Sequence, residues 1–176
     1  SEDARTIYRD LVLVRRIDAE GFALQRQGEL GLWPSLFGQE AAQVGAGRAL
    51  RPHDYAFPGY REHGVAWCRG VDPVSLFGMF RGVNHGGWDS NENNFHLYTI
   101  VIGNQMLHAV GYAMGITADG AMGTGDPERD SAVMAFTGDG GTSQGDFNEA
   151  LVFAAVTNAP VVFFVQNNQW AISEPN

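Results

Sequence analysis

Ala132-Val133-Met134-Ala135-Phe136-Thr137-Gly138-Asp139-Gly140, answered by Val161-Val162-Phe163-Phe164-Val165-Gln166-Asn167-Asn168, decides how this chain folds. Each segment opens on a short apolar run, the pattern of a strand buried on both faces. Between the two runs Phe147, Leu151 and Ala154 or Ala155 recur at helical spacing, and Asn158 and Pro160 stop that helix. Strand, helix and strand in so short a span predict a right-handed crossover between two parallel strands. Asp139 and Asn168 then lie just past the carboxyl ends of both strands, the edge where open α/β sheets hold their ligands.

The residue types at that edge suit one chemistry. A hard divalent cation such as Mg2+ takes oxygen ligands: an Asp carboxylate, an Asn amide oxygen, a backbone carbonyl, water and phosphate. Gly138 and Gly140 let a phosphate approach the main chain, and the N-terminus of the helix that follows favours an anion. Alone, Gly-Asp-Gly or Asn-Asn reads as an ordinary turn. Together on this topology they point to a diphosphate bridged to the protein through a metal.

Gly-Asp-Gly, a spacer and Asn-Asn is the signature of the thiamine-diphosphate enzymes, which the chain resembles. The longer block Thr137–Ala150, running on to Gln166-Asn167-Asn168-Gln169-Trp170-Ala171-Ile172-Ser173, is similar to something narrower: the α subunit of the E1 component of 2-oxo acid dehydrogenase complexes. Phe37-Gly38-Gln39-Glu40-Ala41, Tyr60-Arg61-Glu62-His63-Gly64 and Gly111-Tyr112-Ala113 fall in that family's order.

The resemblance implies an α/β thiamine-diphosphate-binding fold, mostly parallel, with helices on both faces and a helical N-terminal segment. It implies thiamine diphosphate and Mg2+ as cofactors, with Asp139, Asn168 and the Trp170 backbone carbonyl as metal ligands. Tyr60, Arg61, Gly138, Asp139, Gly140, Gly141, Asn168 and Trp170 match cofactor contacts, and so do Ile100 and Ile102 beside the aminopyrimidine. His63 matches a catalytic position that faces the reaction centre. The reaction implied is decarboxylation of a 2-oxo acid with acyl transfer to a lipoyl group. The partners are an E1 β subunit, in a heterotetramer of two α and two β chains, and an E2 lipoyl acyltransferase. The carboxylate that activates the pyrimidine comes from the β subunit in this family, so no general base is named in this chain. The location implied is the cytoplasm of a bacterium or the mitochondrial matrix of a eukaryote.

Two departures bear on the acyl pocket. Gln105-Met106-Leu107 stands where many relatives carry Gln-(Val or Ile)-Pro, and Ile100-Val101 where they carry Ser-Pro. Trp170-Ala171-Ile172-Ser173, and the lack of a Ser-Met-His loop motif, lean to a branched-chain acid over pyruvate. The rivals are a transketolase-like thiamine enzyme, against which Phe37–Glu40 and Tyr60–Gly64 argue, and a chain that only scaffolds its partners.

Composition sets outer bounds. With 176 residues, 44% hydrophobic and 18% charged, the chain can bury a real core. A formal charge of −9 argues against nucleic acid and anionic membranes as partners. No apolar run reaches the length of a membrane span. Cys68, the one cysteine, reads as a small filler and suits a reducing compartment. His85, His96 and His108 have no metal-ligand spacing among themselves.

Along the chain, residues 3 to 27 read as an amphipathic helix with Ile7, Leu11, Val14, Ile17 or Asp18, and Phe22 on one stripe. Helices are expected over Gln39–Leu50, Val74–Phe80 and Asn104–Thr117, a strand over Asp54–Phe57 and another ending at Ile100–Ile102. Gly82–Asn94 reads as a loop and Ala118–Asp130 as a linker. The organisation expected is a helical segment over 1–52 and an α/β domain over 53–176, the latter cut short on its C-terminal side. Gly45, Ala46, Gly111 and Gly115 are expected to pack closely against another subunit.

Overall fold

The computed structural model describes residues 2–84 and 87–175, so His85 lies outside the described residues. Two compact units emerge. One joins Ser1–Arg51 with Arg61–Leu97, the other Pro52–Tyr60 with Tyr98–Asn176. The boundary expected at residue 52 is drawn differently here, because the segment after Arg61 groups with the N-terminal helices.

The first unit is helical: α1 (Glu2–Arg26), α2 (Glu40–Ala49), α3 (His63–Cys68), α4 (Pro73–Arg81) and α5 (Ser90–Asn93). α1 forms where its apolar periodicity predicts, but the expected stripe is buried only through its middle. Asp10, Val14, Asp18 and Gly21 face inward, while Ile7 and Phe22 are 44% and 52% exposed. Buried carboxylates are tolerable only with full hydrogen bonding, and both have it. Asp10 accepts from Arg48 Nε at 2.7 Å and Trp67 Nε1 at 3.0 Å. Asp18 accepts from Trp33 Nε1, Ser35 Oγ and Leu36 N at 3.0, 2.7 and 3.0 Å. Gly21 is required by packing, since a Cβ there would stand 2.2 Å from the Trp33 ring.

α4 starts where Asp72 accepts from Val74 N with Pro73 at the first turn, and stops at Gly82, φ 78°. α5 interrupts the loop expected over 82–94. Asp89 caps it and Asn94 ends it in the left-handed region. α2 uses its small residues internally: Ala46 is buried, and a Cβ on Gly47 would meet Cys68 Cβ at 2.7 Å. Ala46 is therefore not available to another subunit, whereas Gly45 faces open space.

The second unit carries the α/β layer. Strands β1 (Tyr55–Phe57), β2 (Val133–Gly138) and β3 (Val161–Gln166) run parallel in the order β1-β2-β3. Helices α6 (Asn104–Ala118) and α7 (Gly145–Thr157) pack on one face. There Met106, Ala109, Val110, Ala113, Phe147 and Ala150 meet Tyr55, Phe57, Val133 and Ala135 in one core. Two right-handed crossovers stepping the same way along a sheet place both helices on that side. Asn158 ends α7 at φ 50°, as its position before Pro160 predicts.

Two local expectations fail. Ile100–Ile102 is a turn, not a strand end: Asn104 N donates to Val101 O at 3.2 Å and Gly103 adopts φ 88°. Beyond Asn168 a two-stranded antiparallel hairpin, β4 (Trp170–Ala171) and β5 (Glu174–Pro175), appears with no apolar alternation to announce it. Among the described residues no helix is long and apolar enough to cross a membrane.

Candidate functional site

Parallel pairing builds the site. Gly138 lies opposite Gln166 at the end of the β2–β3 ladder, so Asp139 and Asn168 follow directly on adjacent strand ends. The placement expected from the strand-helix-strand pattern is the one observed. After β2 the chain turns through a five-residue 3-10 helix, Asp139–Ser143, where Thr142 Oγ1 donates to Asp139 O at 2.6 Å. The longer helix α7 begins only at Gly145, and its first turn is already capped by Gln144 Oε1 on Asp146 N at 2.9 Å. The expected helix N-terminus directly behind Gly-Asp-Gly is thus a short 3-10 turn instead.

The glycines divide into two kinds. A Cβ on Gly138 would meet only Gln166 O, at 3.9 Å, so that position keeps an open side. A Cβ on Gly140 would stand 2.8 Å from Ala171 Cβ and 3.1 Å from its Cα. One on Gly141 would stand 2.2 Å from Thr137 Oγ1 and 3.3 Å from Ile102 Cγ2. Gly140 and Gly141 let the β4 hairpin and the Ile102 lead-in of α6 close on the turn. Expected cofactor contacts Ile102, Gly141, Gly140 and the segment at Trp170 are therefore brought to one place.

Asn167 and Asn168 form consecutive Asx turns. Asn167 Oδ1 accepts from Gln169 N at 2.8 Å and Asn168 Oδ1 from Trp170 N at 3.0 Å. An amide oxygen has two lone pairs, so the bond to Trp170 N orients Asn168 Oδ1 and leaves capacity for a cation. Gln169 and Ile172 adopt φ 66° and 60°, and Ile172 is 80% exposed. A β-branched residue rarely holds that conformation. The donor set that fits a hard cation here is one carboxylate, one amide oxygen and one main-chain carbonyl. Among the described residues no cluster of three His, Cys, Asp or Glu side chains offers a different metal cage.

Ile100 is 55% exposed beside this turn in sequence, and Thr99 N ties the segment to Gly59 O at 3.0 Å. Tyr60, in the same unit, is half-buried. Arg61 and His63 belong to the helical unit. Arg61 commits Nη1 to Ser35 O, and its own carbonyl accepts from Gln43 Nε2 at 3.0 Å. His63 is 1% exposed, its ring stacked on Trp33 at 4.3 Å between centroids, with Nε2 3.1 Å from Pro34 O. Burial pushes its pKa down to about 4, so the imidazole is neutral at physiological pH. Burial likewise pushes the Cys68 thiol up to about 11, in keeping with an unreactive filler.

Sequence reading missed Gln105 as a feature of this edge. It is 3% exposed and donates from Nε2 to Phe136 O at 2.7 Å. No local signal singled it out, since Asn104 and His108 are polar on the same helix.

Comparison with known proteins identifies the family. Residues 8–176 match the family described as "Dehydrogenase E1 component". The chain is 48% identical over 174 residues to the 3-methyl-2-oxobutanoate dehydrogenase subunit alpha of Mycobacterium tuberculosis, covering 99% of this chain and 45% of that protein. It is 37% identical over 183 residues to the mitochondrial 2-oxoisovalerate dehydrogenase subunit alpha 2 of Arabidopsis thaliana, covering 99% and 37%. The Bacillus subtilis pyruvate dehydrogenase E1 component subunit alpha is 34% identical over 174 residues, with 99% and 45% covered. The chain thus spans less than half the length of the curated relatives it matches. It belongs to the dehydrogenase E1 component family.

Proposed function

We propose that this chain is the diphosphate-holding part of an E1 α subunit that decarboxylates a 2-oxo acid and passes the acyl group to a lipoyl acceptor. Family membership implies thiamine diphosphate use. The observation that carries the reading is the Gly138–Gln166 pairing, which sets Asp139 and Asn168 on adjacent strand ends. Bound there, the cofactor would supply an electron sink for loss of carbon dioxide. Asp139, Asn168 Oδ1 and the Trp170 carbonyl would hold Mg2+ against the diphosphate. Ile102 would prop the cofactor from its seat against Gly141, with Ile100 beside it. Arg61 and Tyr60 would donate to diphosphate oxygens. Catalysis then needs an activating carboxylate from a β subunit, and the product acyl group needs an E2 acceptor. His63 meets substrate on this reading only where its stack on Trp33 opens.

The substrate we propose is a branched-chain 2-oxo acid. The 48% identity to a 3-methyl-2-oxobutanoate dehydrogenase subunit supports it, as does the Arabidopsis 2-oxoisovalerate relative. Pyruvate is the second reading, supported by the 34% identity to a pyruvate dehydrogenase subunit. The location we propose is the cytoplasm for a bacterial source and the mitochondrial matrix for a eukaryotic one, the latter supported by the mitochondrial Arabidopsis relative. The test is steady-state decarboxylation of 3-methyl-2-oxobutanoate and pyruvate by the assembled enzyme, with and without lipoylated acceptor. A higher kcat/KM for the branched acid and dependence on the lipoyl group are expected. Decarboxylation that ignores the lipoyl acceptor would favour a carboligating thiamine-diphosphate enzyme instead, and no decarboxylation of either acid a transketolase-like one.

A further inference from the structure

Gln105 carries an amide that packing alone does not explain. Its Oε1 is buried and meets no hydrogen-bond partner among the described residues. An acceptor buried that way is destabilising, and a methionine of equal length would fill the space without one. The donor end of the amide has its partner on β2. The reverse amide orientation would set Oε1 against the Phe136 carbonyl, oxygen on oxygen, so Nε2 is the atom that faces Phe136 O.

Strand geometry says what that donor replaces. Within a strand, the N–H and C=O of one residue point to the same neighbour, and successive residues alternate. Ala132 O accepts from Tyr55 N at 3.0 Å, and Ala132 N donates to Asp54 Oδ1 at 2.9 Å. Val133 N turns the other way, to Pro160 O at 2.9 Å. The even-numbered carbonyls of β2 therefore face β1. But β1 ends at Phe57, opposite Ala135, and Pro58 follows. The Phe136 carbonyl lies one step past the ladder, two residues before Gly138, and Gln105 supplies its donor.

We propose that Gln105 is a positioning residue that stands in for the missing strand neighbour and fixes the height at which Gly138-Asp139-Gly140-Gly141 leaves the sheet. The same lead-in of α6 bears on that turn twice more. A Cβ on Gly141 would meet Ile102 Cγ2 at 3.3 Å, and one on Gly103 would meet Gln144 Oε1 at 3.0 Å. Three successive elements of one segment, Ile102, Gly103 and Gln105, thus hold both limbs of the turn. This rests on the reading of Asp139 as the metal-diphosphate anchor.

The test uses Gln105→Met, Gln105→Glu and Asp139→Ala in the assembled enzyme. Calorimetry gives thiamine diphosphate affinity in Mg2+, steady-state kinetics give KM for the 2-oxo acid, and amide exchange is followed in the cofactor-free protein. Gln105→Met removes the donor, whereas Gln105→Glu removes it only while ionised, since a carboxyl buried against Phe136 O takes up a proton and donates again. Gln105→Met is expected to weaken cofactor affinity roughly three- to tenfold, and Gln105→Glu to do so less at low pH than at high, with KM for the acid changed less than about twofold. Faster exchange should be confined to residues 137–143. Wild-type affinity in Gln105→Met, beside loss in Asp139→Ala, would overturn the proposal. So would faster exchange throughout α6 and β2. Unchanged affinity in Asp139→Ala would instead remove the site reading, leaving the exchange pattern to decide Gln105. Should Gln105→Glu not fold, Gln105→Met decides alone.

Discussion

The inner face of α1 carries carboxylates and the carboxyl edge of the β2–β3 sheet carries amides, and the two are treated oppositely. On α1, Asp10 and Asp18 are 3% exposed and meet indole, hydroxyl, guanidinium and main-chain donors from distant parts of the sequence. At the sheet edge, Asn167 and Asn168 are exposed, and their side chains accept from Gln169 N and Trp170 N, only two residues along the chain. The first arrangement uses polar groups to specify how helices pack. The second orients polar atoms without consuming them, which is what a ligand site requires.

That contrast can be broken by mutation, and the largest effect belongs to α1. Asp18→Ala strands the Trp33, Ser35 and Leu36 donors and should destabilise the helical unit by about 3 kcal/mol, read from urea unfolding. Asn167→Ala at the edge, which strands only Gln169 N in contact with water, should change stability by less than about 0.5 kcal/mol. Similar costs at both positions would erase the distinction.

Next comes pH. His63 has its pKa lowered to about 4 by burial, against 6.5 unperturbed. Above pH 6.5 the residue is neutral folded and unfolded. Between 6.5 and about 4 the unfolded chain binds a proton that the folded chain does not, so stability falls as pH drops through that window. At pH 5 the loss from this residue is about 2 kcal/mol. His63→Gln, which retains a donor for Pro34 O, should flatten unfolding free energy between pH 7 and 5. An unflattened slope would mean that the ring is protonated where it sits.

The smallest effects sharpen the site itself. Gly140→Ala presses on Ala171 Cβ and on its backbone, and should cost about 1 kcal/mol or a little more. Gly138→Ala meets only Gln166 O at 3.9 Å with φ −87°, and should lie within about 0.5 kcal/mol of the parent in thermal melts. A larger cost at Gly138 would place the crowding on the wrong glycine.

How far the sequence could be read follows the same divide. The strand-helix-strand unit was legible because its period, its stop at Asn158-Ala159-Pro160 and its apolar runs are all local. The stripe of α1 was legible through Val14 and Asp18 but not in Asp10, which Trp67 and Arg48 bury from far along the chain, as Trp33 and Leu36 do Asp18. No periodicity in α1 reports those. The roles of Gly140 and Gly141 were half legible. Close approach of a phosphate was expected at Gly140, and the fold adds Ala171 there and Thr137 and Ile102 at Gly141. The β4–β5 hairpin depends on Gln169 and Ile172 at positive φ, which neither residue type suggests.

The central claim is that Asp139 and Asn168 anchor a metal-bound diphosphate. Calorimetric titration of the assembled enzyme with thiamine diphosphate in Mg2+, comparing the parent with Asp139→Ala and Asn168→Ala, tests it most directly. The account predicts that both variants melt within about 1 kcal/mol of the parent and lose Mg2+-dependent cofactor binding by roughly a hundredfold or more. Parent-like affinity in both folded variants would contradict it.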